Sequence, residues 1–413
     1  MKYPLTILLF CCFQSLFSQS LYQTIVDAEI ETVALAIENK LVSVGFENVK
    51  TIPLDSTIIV AYENRIRRFE IDGLAQILHH LPKGTPFKYV LIPHHQFLPM
   101  ISVTVHGGTL SLLDEPNLTV AFVDKLNIEL NTDLWKYELT KGEIKNSTLF
   151  KADFAIGPVI TATQFGNYNK HIRTIIDAAP ALHVQLRKGL SFNAQALFPL
   201  FNNFNEDKLR IGLLNLTQHV RLKNNAFASL SVGNFNRRRM GYLINYNKYI
   251  ANGRIAFGAV LGGTTWSRYS GELLSEFFEK YNFLYARANV SYRWPKYDLI
   301  TNISYGTFMI QDRGWRIDIA RQYGQSRIGV FGTLTDLVNN AGFKVNIALP
   351  TKTYSSFKRK IRLRTTEYLH YEYKFTGQTL RGLDLNSGNE FHNQIMEINP
   401  DFIKNRLSFL LNP

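Results

Sequence analysis

The sequence has two cysteines among its 413 residues, and both of them, Cys11 and Cys12, stand near the N-terminus. A cysteine-ligated zinc or iron–sulfur site and a disulfide framework are therefore excluded for the rest of the chain. Acidic residues are also scarce, since 33 Asp and Glu stand against 46 Lys and Arg, for a formal net charge of +13. Charged residues make up 19% of the chain and apolar residues 46%, which excludes a largely disordered protein.

Long apolar runs are missing as well. The most apolar stretch, Leu5–Phe13, is about half of the ~20 residues that a membrane-spanning helix needs. Lys2 precedes it and serines follow it, which predicts a secretory signal peptide over residues 1–20, cleaved after Ser18 or Ser20. A membrane anchor and a lipoprotein signal at one of the two cysteines are the alternatives. Any membrane insertion of the mature chain must then use β-strands.

Residues 21–147 predict a small α/β module followed by a connection. Apolar residues spaced by three and four from Leu21 to Val44 are typical of an amphipathic helix, and a second helix is expected at Ile71–His80. Strands are expected at Phe46–Ile52, Thr57–Tyr62, Tyr89–Ile92 and Met100–Val105. Residues 111–147 are expected to add strands, at Val120–Val123 and Leu126–Leu130, or an extended connection.

From residue 148 to 413 the pattern has period two, which is typical of β-strands. Segments of about ten residues alternate apolar and polar side chains, and Tyr285–Trp294 is a clear example. Together with the signal peptide and aromatic residues near strand ends, this predicts an antiparallel transmembrane β-barrel of about 12–14 strands. A soluble β-sandwich or barrel is the alternative. Leu407–Pro413 is expected to form the last strand, and turns are expected at Asn224-Asn225, Asn252-Gly253 and Asn339-Asn340.

Several stretches resemble one known family. Gly45–Val49 followed by Val60–Arg65, and Arg327–Gly332 followed by Gly342–Val345, are similar to the YjbH/GfcD-like outer-membrane proteins linked to exopolysaccharide and capsule production. The resemblance covers most of the mature chain, but its motifs are diffuse and none is a catalytic signature. It implies a periplasmic α/β module and an outer-membrane barrel, in a single-unit, shortened member of the family.

The resemblance also implies a function and partners. It implies a part in the export or surface assembly of exopolysaccharide or capsule, in the outer membrane of a Gram-negative cell. The partners implied are outer-membrane lipid, an anionic polysaccharide and periplasmic proteins of the same export system. The alternatives are a general diffusion channel, an outer-membrane enzyme that modifies lipid or glycan, and a secreted glycan-binding protein. Nucleic acid fits an exported chain poorly.

No catalytic, cofactor or metal site is predicted, because phosphate-loop, dinucleotide and nucleophile-elbow motifs are missing. The pair His79-His80 is expected at a helix end and the pair His94-His95 in a loop, and adjacent histidines rarely share one ion. The basic excess suggests instead a positive interior that attracts an anionic polymer, or a solvated barrel wall. The candidate lumen and polysaccharide contacts are Arg210, Arg254, Arg287, Arg293, Arg362, Arg364, Tyr285 and Tyr368.

Overall fold

A computed structural model describes residues 28–167, 170–202, 209–266, 283–309, 311–357, 360–375, 382–388 and 397–411. The predicted signal peptide lies outside these ranges. Strands make up 55% of the described residues, which confirms a predominantly β protein. In the described ranges, no helix combines the length and the apolarity needed to cross a membrane.

The N-terminal part, residues 28–149, combines helices with a mixed sheet. The helices are α1 (28–44), α2 (Glu70–His80) and α3 (Thr119–Asp124). The strands are β1 (Glu47–Leu54), β2 (Thr57–Glu63), β3 (Lys88–His95), β4 (Leu98–Pro99), β5 (Ser102–His106) and β6 (Asn127–Glu129). They pair in the order β1-β2-β3-β5-β6, with β2 and β3 parallel and β4 attached to β3.

The predicted elements of this part are found with two corrections. Val120–Val123 forms most of helix α3 and not a strand, because a single helical turn buries Phe122 and Val123 together. His94 and His95 end strand β3 and do not lie in a loop. Helix α2 carries Glu70 and Asp72 in its first turn and the predicted histidines in its last.

Strands β7 to β23 form a second, larger sheet. Their bounds are β7 Ala152–Ile156, β8 Pro158–Asn167, β9 Lys170–Ala178, β10 Ala181–Arg187, β11 Leu190–Asn202, β12 Arg210–Arg221, β13 Ala226–Phe235, β14 Arg239–Ile250, β15 Ile255–Trp266, β16 Phe283–Trp294, β17 Leu299–Thr307, β18 Arg313–Tyr323, β19 Ser326–Thr335, β20 Asn339–Ala348, β21 Ser355–Phe357, β22 Ile361–Thr365 and β23 Tyr368–Lys374. The alternating stretches of the sequence at 150–163, 171–187 and 360–375 are each divided into two strands.

The large sheet is an antiparallel meander from β10 to β20, in which each strand pairs with the next in sequence. β20 then pairs with β23. β7 forms an antiparallel pair with β10 on one side and a parallel pair with β22 on the other. β9 pairs with both β8 and β11. Turns occur at Asn224-Asn225 and Asn252-Gly253 as predicted, but Asn339-Asn340 begins β20 and the turn precedes it. The closed transmembrane barrel stays a prediction.

The strands of this sheet are apolar outside and polar inside. Along β18 every second residue is exposed, and the exposed set includes Trp315, Ile317 and Ile319. The buried set of the same strand includes Arg316 and Asp318. β16 has the same pattern, with exposed Leu284, Val290 and Trp294 and buried Tyr285, Ser291 and Arg293. The alternation in the sequence therefore places apolar side chains on the exposed face of the sheet and polar side chains on its buried face. We call this pattern inverted amphipathicity.

The main apolar core lies in the N-terminal part and includes the C-terminal helix α4 (Pro400–Leu411). Phe402 is buried and its ring packs edge-on against Phe69, 5.9 Å away. The predicted last strand at Leu407–Pro413 is therefore wrong. The buried residues Phe402, Ile403, Leu407 and Leu411 repeat at helical spacing, so one face of a helix buries all of them. Because this core also takes in residues of β13 and β14, a separate α/β module stays a prediction.

Candidate functional site

A cavity of about 810 Å³ lies between the N-terminal part and the inward faces of the large sheet. The N-terminal part supplies polar side chains from the end of β2, from the segment before α2 and from the end of β3. The sheet supplies amide, histidine and arginine side chains that point inward by the alternation described above. Polar lining residues from both sides include Arg68, His94, Gln96, His183, Gln195, Arg210, Gln322, Gln325, Arg327, Asn346, Tyr368 and His370.

The N-terminal part covers one end of the large sheet by binding its turns. The Arg221 guanidinium donates to the carbonyl oxygens of Met100 and Leu130, at 2.9 and 2.7 Å. The Asn252 side chain, in the β14–β15 turn, accepts from the Leu130 N–H at 2.9 Å. The Gly189 N–H, in the β10–β11 turn, donates to the Gln96 carbonyl at 2.9 Å. Contacts spread over several turns hold this part against the end of the sheet.

A buried ion network joins the same two parts. Asp153 of β7 is 2% exposed and accepts from the guanidinium groups of Arg65, Arg362 and Arg364. Arg362 also donates to Glu47 of β1. Three arginines around one carboxylate are compatible with burial because Glu47, Glu63 and Glu367 balance the remaining charge. The Arg362 and Lys151 cations hold the pKa of Glu47 below its usual value against the opposing effect of burial.

Segment 382–388 lies inside the large sheet at the other end. The N–H of Gly382 donates to Asp312 at 2.7 Å, and its carbonyl accepts from Arg316 at 2.7 Å. Asp384 pairs with Arg287, and Leu385 packs into a small apolar cluster. The Ser387 carbonyl accepts from the Asn215 side chain at 2.8 Å. The segment therefore crosses the interior through contacts with several strands.

The predicted contact residues fall into three groups. Arg210, Arg364 and Tyr368 line the cavity, and each is paired with a carboxylate: Asp177, Asp153 and Glu397 respectively. Arg287 and Tyr285 both contact Asp384 of segment 382–388. The remaining three are Arg362, in the ion network, and Arg254 and Arg293, which contact helix α4.

Arg254 departs most from the expected inward position. It stands in the turn before β15, is half exposed, and pairs with Asp401 of α4 at 2.6 Å. Arg293 does point inward and is fully buried, but its guanidinium lies over the Phe402 ring, 4.7 Å from the centroid. Both residues attach the C-terminal helix to the sheet.

The sequence-based prediction missed Arg327 of β19, which lines the cavity. Ile328 and Val330 on the same strand are exposed, so the alternation already implied an inward Arg327. Arg65, Arg68 and Gln325 were missed too, because they come from the N-terminal part and from a turn, where period two gives no orientation. Gln322 was missed as well, although it is an inward residue of β18 and the alternation of that strand gives its orientation.

Several buried polar atoms at the cavity have no hydrogen-bond partner among the described residues. They include Nη1 of Arg68, Oε1 of Gln322 and Nε of Arg327. Both ring nitrogens of His94 also lack a hydrogen-bond partner among the described residues. Burial lowers the pKa of His94 to about 3, helped by Lys188 and Lys50, so the ring is neutral at pH 7. The cavity thus offers donors and acceptors that no group of the described residues satisfies.

In the parts of the chain that the structure describes, no group of three His, Cys, Asp or Glu residues is arranged to hold a metal ion. Neither histidine pair therefore forms such a group.

Comparison with known proteins gives one family. Residues 204–365 match the YjbH family, described as exopolysaccharide biosynthesis protein YbjH. The match runs from just before β12 to the end of β22, and it confirms the resemblance seen in the sequence over that range. No curated protein matches the chain.

Proposed function

From the match of residues 204–365 to the YjbH family, which links the chain to exopolysaccharide biosynthesis, we propose a more specific role. The chain is an outer-membrane β-barrel protein that takes part in the export or surface assembly of an exopolysaccharide or capsule. Its N-terminal part lies in the periplasm, where it binds the polymer or other proteins of the system. The family match is the observation that carries the link to polysaccharide.

The inverted amphipathicity of the large sheet supports the membrane part of the proposal. Exposed Ile, Leu, Val and Trp side chains suit a hydrocarbon environment, and buried Arg, Asp and Ser suit a polar lumen. The pairing of β7 with β10, the first strand of the meander, and with β22, which follows the meander in sequence, supports a closed sheet. Closure satisfies the backbone groups of every strand, which a hydrocarbon environment requires.

The interior supports a passive role in binding or conduction. Arginine, amide and tyrosine side chains face the cavity, and a narrow interior of this kind concentrates anions by focusing the field. Because segment 382–388 crosses the interior, passage of a polymer requires this segment to move. Without that movement the protein would hold a polymer segment at the membrane. We propose no catalytic role.

The proposal is tested by deleting the gene and measuring surface polysaccharide, together with fractionation of the wild-type protein. We expect the protein in the outer-membrane fraction, with a gel mobility that changes on boiling, and a loss of surface polysaccharide in the deletion strain. Unchanged amount and location of the polysaccharide would refute the role in export. A detergent-free soluble protein with no mobility change would refute the membrane barrel.

A general diffusion channel is the second candidate, favoured by the polar lining of the cavity. It differs in one measurable property. The purified protein would conduct small ions in a planar bilayer at all times, and the conductance would not respond to polysaccharide.

A further inference from the structure

We propose that the cavity between the N-terminal part and the large sheet binds a short acidic oligosaccharide, and that Arg327 recognises its carboxylate. The inference deepens the proposed function, and rests on it for the choice of a saccharide as the ligand. The geometry supplies three arguments: a cation without a counter-charge, a set of unsatisfied hydrogen-bonding atoms, and the volume of the cavity.

Arg327 is the cation. Within the described ranges it forms no ion pair, and its buried Nε has no hydrogen-bond partner. Arg65 and Arg364 differ, since both contact Asp153. Arg68 also has no ion pair among the described residues, but its Nε donates to the Gln325 amide oxygen at 2.9 Å, whereas Nε of Arg327 has no partner. Partial burial of a guanidinium without a nearby carboxylate costs free energy. A ligand that carries a carboxylate would offset this cost. Arg also offers two parallel donors that match the geometry of a carboxylate.

The polar groups that line the same cavity as Arg327 suit hydroxyls. Oε1 of Gln322 and Oε1 of Gln96 are acceptors without a partner, and the neutral His94 ring supplies one donor and one acceptor. The His183 ring binds Asn193 through Nδ1 at 2.7 Å, and this leaves Nε2 for the cavity. A sugar hydroxyl both donates and accepts, so it pairs with either kind of atom. A ligand with many hydroxyls therefore satisfies this lining better than an acyl chain would.

The volume limits the length of the ligand. A cavity of about 810 Å³ falls in the range of about 300–1,000 Å³ that is typical of small-molecule sites. It accommodates a few sugar residues and not a long polymer. The N-terminal part covers one end and segment 382–388 crosses the other, so the bound species is a short chain or the end of a longer one.

The test measures binding of trigalacturonic acid and of its fully methyl-esterified form to the purified full chain in detergent, by calorimetry. The two probes share hydroxyls and size but differ in charge. We expect the acid to bind more tightly than the ester. Arg327→Gln should weaken binding of the acid by about tenfold or more, as for other hydrogen bonds to charged groups, and leave the ester unaffected.

Two variants control for folding and for general charge. Arg321→Gln removes an exposed arginine from the adjacent strand β18 and should leave binding unchanged. Arg327→Lys keeps the charge and should retain part of the preference for the acid. All variants should keep the heat-dependent gel mobility of the wild type.

Equal affinity for the acid and the ester, or equal loss in Arg327→Gln and Arg321→Gln, would overturn the inference. Competition by inorganic phosphate alone at the same concentration would show a plain anion site and would overturn the saccharide assignment. Failure of the proposed function is separate. If the deletion strain keeps its surface polysaccharide while the purified protein discriminates the two probes, the inference stands and the export role fails.

Discussion

Arg287 of β16 and Asp384 form an ion pair inside the large sheet, and the Tyr285 hydroxyl donates to the same carboxylate at 3.3 Å. Asp384 belongs to segment 382–388, far along the chain from β16. Arg287 is mostly buried, whereas Asp384 is 45% exposed. The pair therefore fixes a connecting segment to the interior at a point that solvent still reaches.

The Arg287–Asp384 ion pair holds segment 382–388, so we predict that weakening this ion pair releases the segment. Asp384→Asn removes the charge with little change in shape, and we expect more frequent openings in planar-bilayer recordings than for the wild type. Arg287→Gln should have the same effect. Because both variants break one contact, the double variant should open no more often than either single variant.

Asp55→Asn is the matched control for this experiment. Asp55 is exposed in the β1–β2 turn with φ of 50°, a conformation that Asn adopts readily. Its recordings should equal those of the wild type. Identical recordings for wild type, Asp384→Asn and the control would show that the ion pair does not hold the segment.

The exposed face of β18 gives a second prediction. Ile317 is 43% exposed near the middle of the strand. If this face meets lipid, Ile317→Arg should destabilise the folded protein by about 2–4 kcal/mol, the cost of a cation near the bilayer midplane. Urea unfolding in lipid vesicles, followed by the heat-dependent gel shift, measures the change.

Leu134→Arg provides the comparison, because Leu134 is 79% exposed in the N-terminal part. Its substitution should leave the urea midpoint unchanged. Equal stability of Ile317→Arg and Leu134→Arg would mean that the outer face of β18 is not in hydrocarbon.

The alternation of the sequence predicted the orientation of single strands well. Tyr285, Arg287 and Arg293 point inward as expected, since a period of two fixes the face of each residue once one face is known. The C-terminal helix was missed because a short run such as Leu407–Leu411 suits a strand or a helix equally. Only Ile403, which extends the spacing of four through Leu407 to Leu411, favours the helix.

The site was predicted less well, because what an inward residue touches depends on distant segments. Arg287 meets Asp384 and Arg210 meets Asp177, while Arg327 meets no carboxylate of the described chain. These three residues are equivalent in the strand pattern. Their difference comes from the path of loops and of segment 382–388, which no local period encodes.

Asp153 gives a third prediction. Its carboxylate is buried among Arg65, Arg362 and Arg364, so Asp153→Asn leaves three guanidinium groups with reduced compensation. Removing one member of a buried ion pair costs about 3–5 kcal/mol, and we expect a loss of that size in thermal or denaturant unfolding. Asp114→Asn is the control, since the Lys83–Asp114 pair is exposed and should contribute less than about 1 kcal/mol. Losses of similar size in both variants would contradict the role of the network.

Glu70 gives a pH-dependent prediction. Burial raises its pKa from 4.5 to about 8, and the nearby Glu63 carboxylate acts in the same direction. The folded state therefore keeps this proton between pH 4.5 and 8, whereas the unfolded chain releases it. Since the folded state binds more protons, the contribution of Glu70 to stability is fully present below pH 4.5 and is lost as the pH rises towards 8, by up to about 1.4 kcal/mol per pH unit.

Thermal unfolding of the wild type and of Glu70→Gln from pH 5 to 8.5 measures this contribution. Gln is uncharged at every pH, so the variant should lose less stability with rising pH and should exceed the wild type in stability near pH 8. Glu115→Gln, which changes an exposed carboxylate, should follow the wild-type profile. A Glu70→Gln profile parallel to that of the wild type would mean that Glu70 is already ionised in the folded protein at neutral pH. The carboxylate would then add a negative charge to the cavity that it lines, which would oppose the binding of an acidic saccharide there.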